Sequence, residues 1–139
     1  MVEDPELTRI RELKRRELEA RLDTEPPAGP VPLSDADFAD FVARHPLVLI
    51  DFWAAWCGPC RIVGPLVEEI AREYAGRVSV GKVDTDRCPV TAGRFGITAI
   101  PTLAVFRDGT LVDGVIGAVP KARLTLLVEH WLAVPRTGA

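Results

Sequence analysis

The chain has 139 residues, of which 47% are hydrophobic and 27% charged. That is globular composition at a length suited to one domain, and it excludes a disordered chain. A net charge of −3 gives no basic field to draw the protein to nucleic acid or anionic lipid, and three cysteines are too few for a disulfide scaffold. Asn and Gln are absent and Pro occurs twelve times, a bias that heat adaptation and a GC-rich genome explain equally well. The N-terminus is charged throughout, without the apolar core of a secretory signal. The longest apolar runs are only a few residues, too short to span a bilayer. The expectation is a cytoplasmic protein with no membrane or nucleic-acid partner.

Residues 1–25 carry six basic and eight acidic side chains and read as a helix from about Glu6 to Leu22, with Pro5 in its first turn. Glu12–Arg16 and Glu17–Arg21 are i,i+4 pairs in the favourable orientation. Leu7, Ile10, Leu18 and Leu22 form a stripe broken by Arg11 and Lys14. It suits either a solvated helix or one that docks on its own domain or a partner. Residues 26–30, Pro-Pro-Ala-Gly-Pro, read as a stiff linker. From residue 31 to 139 strands and helices alternate. Val31–Leu33 is a short strand that Pro30 and Pro32 confine to a sheet edge. Ser34 caps a helix running to about Arg44. Leu47–Trp53 is an unbroken apolar run, as a central strand buried on both faces requires. A helix over Cys57–Tyr74 follows, with Pro65 expected to kink it. Val78–Val83 is a strand and Pro89–Phe95 a short helix. Thr102–Phe106 and Leu111–Ile116 pair as a hairpin across Asp108-Gly109. Lys121–Ala133 is the last helix. The order implies an α/β fold whose sheet is parallel where helices cross over and antiparallel at the hairpin.

The chemistry centres on Trp56-Cys57-Gly58-Pro59-Cys60, which follows the buried strand and opens a helix. Free N–H groups and a partial positive charge at a helix N-terminus stabilise a thiolate at Cys57, and the thiolate is the nucleophile of thiol–disulfide exchange. Two intervening residues bring Cys60 within reach of Cys57. Cys57 can therefore attack a disulfide, and Cys60 can release the product. A structural zinc site needs four ligands. Cys88, His45 and His130 supply no second close pair, so no metal is expected. Asp51 stands inside the apolar run, six residues before Cys57. Burial there raises its pKa, and a protonatable group so placed can take the proton of Cys60.

Asp51 to Cys60 (Asp-Phe-Trp-Ala-Ala-Trp-Cys-Gly-Pro-Cys) resembles the active-site stretch of the thioredoxin family, and lowered-pKa behaviour of that motif is a known family property. Lys82-Val83-Asp84 resembles the strand with the family's buried lysine. Phe95 to Thr102 resembles its cis-proline segment, Phe106 to Gly109 its hairpin, and Gly117-Ala118 its substrate-facing glycine loop. The likeness spans about Val31 to Val134. It implies a thioredoxin fold: a mixed sheet of about five strands flanked by four helices, here with an added N-terminal helix. It also implies a protein-disulfide reductase in which Cys57 and Cys60 form the redox-active disulfide. Asp51 would be the buried acid/base with Lys82 beside it. Trp56, Gly58, Pro59, Ile100, a cis Pro101 and Gly117 would bind substrate. The partners implied are disulfide-containing proteins and a thioredoxin reductase. The protein itself would be a monomer without cofactor, NADPH and flavin acting only through that reductase. Gly58-Pro59 is the family's reducing dipeptide, with no His to make the disulfide more oxidising.

Thr85 and Ala99 depart from the apolar residue and the glycine common in the family. Gly114 to Lys121 resembles the thioredoxin-2 branch, whose zinc ribbon has no counterpart before Cys57. Cys88 reads as a small buried residue in preference to a reactive surface thiol. The alternative function is a redox-gated protein-binding module that uses the N-terminal helix.

Overall fold

A computed structural model describes residues 4–24 and 29–136, with side chains for 4–17 and 29–136. In chain order the elements are α1 (Pro5–Thr24), β1 (Val31–Leu33), α2 (Phe38–Arg44), β2 (Leu47–Trp53), α3 (Gly58–Glu73), β3 (Ser79–Asp84), α4 (Pro89–Arg94), β4 (Thr102–Arg107), β5 (Thr110–Ile116) and α5 (Lys121–Ala133). The strands form one sheet in the order β1-β3-β2-β4-β5. β1, β3 and β2 run parallel, while β4 and β5 are antiparallel additions. This is the expected mixed five-stranded sheet with four flanking helices.

The apolar run of β2 is central because both its faces are covered, and Leu47 through Phe52 are all buried. Odd-numbered Leu47 and Leu49 pack with Val63, Val67 and Ile70 of α3 and Leu124, Leu127 and Val128 of α5. Even-numbered Val48, Ile50 and Phe52 pack with Phe38 and Val42 of α2 and with Cys88 just before α4. The two-residue period of the strand thus sorts one sequence into two cores. In the second core Phe38 is the hub. Its ring lies 5.4 Å from Phe95, 5.5 Å from Phe106 and 6.5 Å from Phe52, in tilted or edge-on contacts that aromatic quadrupoles favour.

Local signals set most boundaries. Asp108 and Gly109 take positive φ (49° and 83°), as an Asp-Gly hairpin turn demands. α3 continues through Pro65 as one helix to Glu73. The helix expected from Ser34 instead starts at Phe38. The Ser34 hydroxyl accepts the Asp37 N–H (3.2 Å) and the Asp37 carboxylate accepts the Ser34 N–H (3.4 Å), closing a turn before the helix. Asp35, inside that turn, reaches across to α4. It accepts the Thr91 N–H (2.8 Å), the Thr91 hydroxyl (2.6 Å) and the Val90 N–H (3.3 Å), capping a helix that has no side-chain cap of its own. Those bonds to Thr91 and Val90 hold the Asp35 carboxyl below its ordinary pKa against the opposing effect of desolvation.

α1 covers the stretch expected to be helical. Glu12 pairs with Arg15 (2.6 Å) and Arg16 (3.5 Å) on its surface. Of the stripe, Leu7 and Ile10 are 43% and 45% exposed, and Leu13 beside them is 58% exposed, so this part of α1 shows apolar side chains to solvent. Leu18, Leu22 and the Glu17–Arg21 pair rest on side chains outside the described ones, as does most of the 26–30 linker.

The aromatic hub generates a test. Phe38→Ala should destabilise the protein by about 3–5 kcal/mol, because a large cavity opens where three rings converge. Urea unfolding would show it as a lower midpoint with an unchanged slope.

Candidate active site

The site is built where β2 ends and α3 begins. Two backbone bonds fix the exit of β2: Thr85 N–H to Trp53 O (2.8 Å) and Cys57 N–H to Ala54 O (3.2 Å). Cys57 is the N-cap of α3, with extended backbone (φ −86°, ψ 111°), and Gly58 and Pro59 form the first turn. Proline fits there because the first N–H groups of a helix have no intrahelical partner to lose. The sulfur of Cys57 takes over the capping role and accepts the Cys60 N–H at 3.2 Å. Cys57 and Cys60 are bonded as a disulfide with Cα atoms 5.3 Å apart, and both are nearly buried. Ala54, half-buried Trp53 and Ile100 pack around them. The helix terminus that bonds this sulfur also stabilises negative charge on it once the disulfide is opened.

Trp56 is 70% exposed, yet its indole N–H donates to the Asp86 carboxylate at 2.9 Å. A large apolar ring is thus held at the surface beside the cysteines. Asp86 is a residue that sequence reasoning missed, since thirty positions separate it from Trp56 and nothing local links them. The Ile100–Pro101 peptide is cis. Ile100 O lies 3.9 Å from Cys57 Sγ. The Thr102 hydroxyl donates to Ala99 O (2.5 Å), bracing that bend. Gly117 has φ +100°, a conformation side-chain-bearing residues avoid, and its N–H donates to Pro101 O at 2.8 Å. Trp56, Gly58, Pro59, Ile100, Pro101 and Gly117 come from three separate chain segments, and Ile100, Pro101 and Gly117 are linked to Cys57 by these contacts.

Asp51 and Lys82 are partners in the parallel register of β2 and β3, and they share the sheet face covered by α3. Asp51 is 1% exposed and its Oδ1 has no hydrogen-bond partner. Burial pushes its pKa up to about 6, and the charge of Lys82 only partly offsets this. The Lys82 ammonium sits 4.8 Å from the centre of the Trp53 ring. Trp53, half-buried at the end of β2, thus seats the lysine. A cavity of about 260 Å3 bordered by Cys60, Gly64, Glu68 and Lys82 opens beside the second cysteine.

Comparison with known proteins settles the family. The family model described as Thioredoxin matches residues 29–130. The chain belongs to the thioredoxin family. It is 52% identical over 101 residues to a thioredoxin of Synechocystis sp., covering 72% of this chain and 94% of that protein. It is 53% identical over 101 residues to thioredoxin 1 of Synechococcus elongatus, with the same coverage. A mutant thioredoxin from Halobacterium salinarum NRC-1 superposes with a TM-score of 0.74 at 32% identity, covering 81% of this chain and 99% of that one. A chloroplastic M-type thioredoxin of Pisum sativum is 52% identical over 85 residues, 61% of this chain and 49% of that protein. The chain is accordingly a thiol–disulfide oxidoreductase acting on protein disulfides, and its bonded Cys57–Cys60 pair is the thioredoxin-type redox centre. α1 precedes the matched residues. Among the described residues no helix is long and apolar enough to cross a membrane.

Cys88 is buried, 3.4 Å from Leu33 O, and burial first, then the Asp35 and Asp84 charges, raise its pKa. It is a packed thiol and not an activated one.

The Asp51 geometry fixes a pH dependence. Its pKa in the folded protein lies above the ordinary 3.8, so between about pH 4 and pH 6 the unfolded chain gives up its proton first. Stability from this group is complete below that window and falls as pH rises through it. Asp51→Asn should therefore raise stability by up to about 3 kcal/mol at pH 8 and by little at pH 4. Urea unfolding of both proteins at the two pH values measures the difference.

Proposed function

We propose that the dithiol works in the reducing direction, with roles divided as follows. The Cys57 thiolate attacks one sulfur of a substrate disulfide. That bond breaks, one substrate thiolate leaves and a mixed disulfide forms. Cys60 then loses its proton to the ionised Asp51 carboxylate and attacks Cys57, expelling the second substrate thiolate. The protein is left oxidised and the substrate carries two thiols. Lys82 tunes Asp51 through its charge. Trp56, Gly58, Pro59, Ile100, Pro101 and Gly117 hold the substrate, its extended backbone pairing with Ile100 as a short added strand.

The observation that carries this reading is the position of Cys57 Sγ. It lies between the N-terminus of α3 and the carbonyl of Ile100, with Asp51 buried under the same helix. No cofactor is needed for exchange. The cycle is closed by a thioredoxin reductase, which brings NADPH and flavin. We place the protein in the cytoplasm as a monomer, a compartment in which reduction of disulfides is sustained. We divide the chain into a helical extension (1–25), a linker (26–30) and the catalytic domain (31–139).

Insulin-disulfide reduction with dithiothreitol as electron source tests the roles. Cys57→Ser should abolish turnover, and Cys60→Ser should accumulate substrate attached at Cys57, visible as a mass adduct that dithiothreitol removes. In the parent, release of the mixed disulfide should speed up as pH rises through the region of 6, where Asp51 ionises. Asp51→Asn should slow release and flatten that profile. Retained turnover in Cys57→Ser would sink the assignment.

The exposed Leu7, Ile10 and Leu13 of α1 favour a second role, docking on a partner through this helix. A chain shortened to start at Val31 should then keep full insulin reduction but lose that partner in a pull-down. Partners retained after shortening would rule the docking role out.

A further inference from the structure

The three parallel strands end side by side, and the crevice outside their carboxyl ends is where open α/β sheets place ligands. The redox site uses one part of that edge. A second part is a pocket of about 550 Å3, within the size range of small-ligand sites. It lies between the turn after β1, the ends of β2 and β3, and the turn before α4, and neither Cys57 nor Cys60 borders it. Register makes the pocket. β1 stops at Leu33, level with Val83, while β2 and β3 run one residue further to Trp53 and Asp84. The short strand leaves a step in the sheet edge, and the flank of β3 is open there.

The walls carry both signs of charge: Lys82 and Arg87 are the cations, Asp37 and Asp84 the anions. The Lys82 ammonium lies over the Trp53 ring, and among the described residues it donates no hydrogen bond and closes no ion pair. The Arg87 Nε is 3.9 Å from Asp84 Oδ2, longer than a hydrogen bond, and its side chain is 88% exposed. Asp84 Oδ1 accepts the Asp86 N–H (3.0 Å), and one oxygen of Asp37 accepts the Ser34 N–H (3.4 Å). A carboxylate has about four lone-pair sites, so both acids keep accepting capacity. A ligand with a single charge would pair at one wall and meet like charge at the other. A short molecule with an ammonium and a carboxylate pairs at both, and its body lies against Trp53 and Leu33.

Lys82 also borders the cavity beside Cys60, so it stands between this pocket and the redox site. Around Asp51, β3 presents Lys82, β4 sets Leu103 opposite, and α3 brings Cys60 and, at the neighbouring cavity, Glu68. The charge of Lys82 opposes the effect of burial on Asp51. A carboxylate seated on Lys82 adds negative charge near Asp51 and weakens the lysine's influence, which makes Asp51 harder to ionise. Asp84 stands two residues beyond Lys82 along β3, and Asp37 lies beyond β1. An ammonium held by these two is therefore farther from Asp51 than the carboxylate is, and offsets it only in part.

We propose that this pocket binds a small zwitterion of amino-acid or dipeptide size, with its carboxylate on Lys82 and Arg87 and its ammonium toward Asp37 and Asp84, and that occupancy slows release of the mixed disulfide through Lys82. The binding stands on the pocket alone. The control of release rests on the role given to Asp51 above.

The test titrates the full chain, isotope-labelled for NMR, with L-alanyl-L-alanine up to about 20 mM, where a site of millimolar affinity is nearly filled. Two blocked forms are titrated alongside: the N-acetyl dipeptide, which lacks the ammonium, and the dipeptide amide, which lacks the carboxylate. The amide signals of Ser34, Asp37, Lys82 and Arg87 should shift saturably with the free dipeptide. Each blocked form should bind about tenfold more weakly, the factor for one lost charge-assisted bond. Arg87→Ala and Asp37→Asn should weaken binding to a similar degree and leave insulin reduction without the dipeptide unchanged. With the site filled, the midpoint of the pH profile of release should rise by about half a unit. Release is then about twofold slower near pH 6 and unchanged near pH 8. Arg87→Ala should lose most of that effect at the same concentration. No saturable shift at these four residues, or equal binding of the blocked forms, overturns the site. Saturable binding with an unaltered release profile overturns the control through Lys82. A release rate that is flat with pH even without the dipeptide overturns the Asp51 reading, and the control with it, while saturable binding would still uphold the site.

Discussion

The N-terminus of α3 is held against the end of a strand buried on both faces, and the rest of the site is arranged around that junction. β2 lies between β3 and β4 with both faces covered, so its position is set by two cores at once. The bonds to Trp53 O and Ala54 O carry that rigidity forward to Cys57, where the helix begins. A helix terminus on a loose loop would offer the same N–H groups but would not hold them in one place. Here the donor, the sulfur and the second cysteine are fixed together, which lets a weak electrostatic effect act at full strength on one atom.

The same junction explains why a carboxyl group sits in the core. The parallel register of β2 and β3 sets Asp51 beside Lys82, and the pleat turns both toward the underside of α3. Hydrophobic packing alone would favour an apolar residue at position 51. The unpartnered Oδ1 and the raised pKa are a local cost to stability, and such conflicts are characteristic of working sites. The Lys82 ammonium sits over the Trp53 ring, and its charge only partly offsets the effect of burial on the carboxyl. A carboxyl with a pKa near neutrality can both accept and return a proton, which a tightly paired one cannot do as readily.

Much of this was legible in the sequence for identifiable reasons. The apolar run 47–53, the Asp-Gly turn and the cysteine pair after a strand are local patterns whose physical requirements are also local. Misplacing the start of α2 had a distant cause: Asp35 spends its carboxylate on Thr91 and Val90, fifty-odd residues away, and the turn holding it displaces the helix start to Phe38. The anchoring of Trp56 by Asp86 and the pinning of Gly117 to Pro101 were invisible for the same reason. In each case the partners meet only after the sheet is assembled.

The sequence by itself determined the order of elements, the two-sided burial of β2, the redox pair and a buried acid close to it. Periodicity, turn chemistry and helix-end chemistry act over a few residues and can be read without coordinates. Only the tertiary structure decided which residues surround Cys57, how Asp51 and Lys82 stand to each other, and that a pocket opens where β1, β2 and β3 end. Those facts depend on strand order and register, which bring together atoms from residues 51, 82, 100 and 117. Contacts between such distant segments leave no periodic trace in the chain, because what selects them is the assembled packing of the sheet.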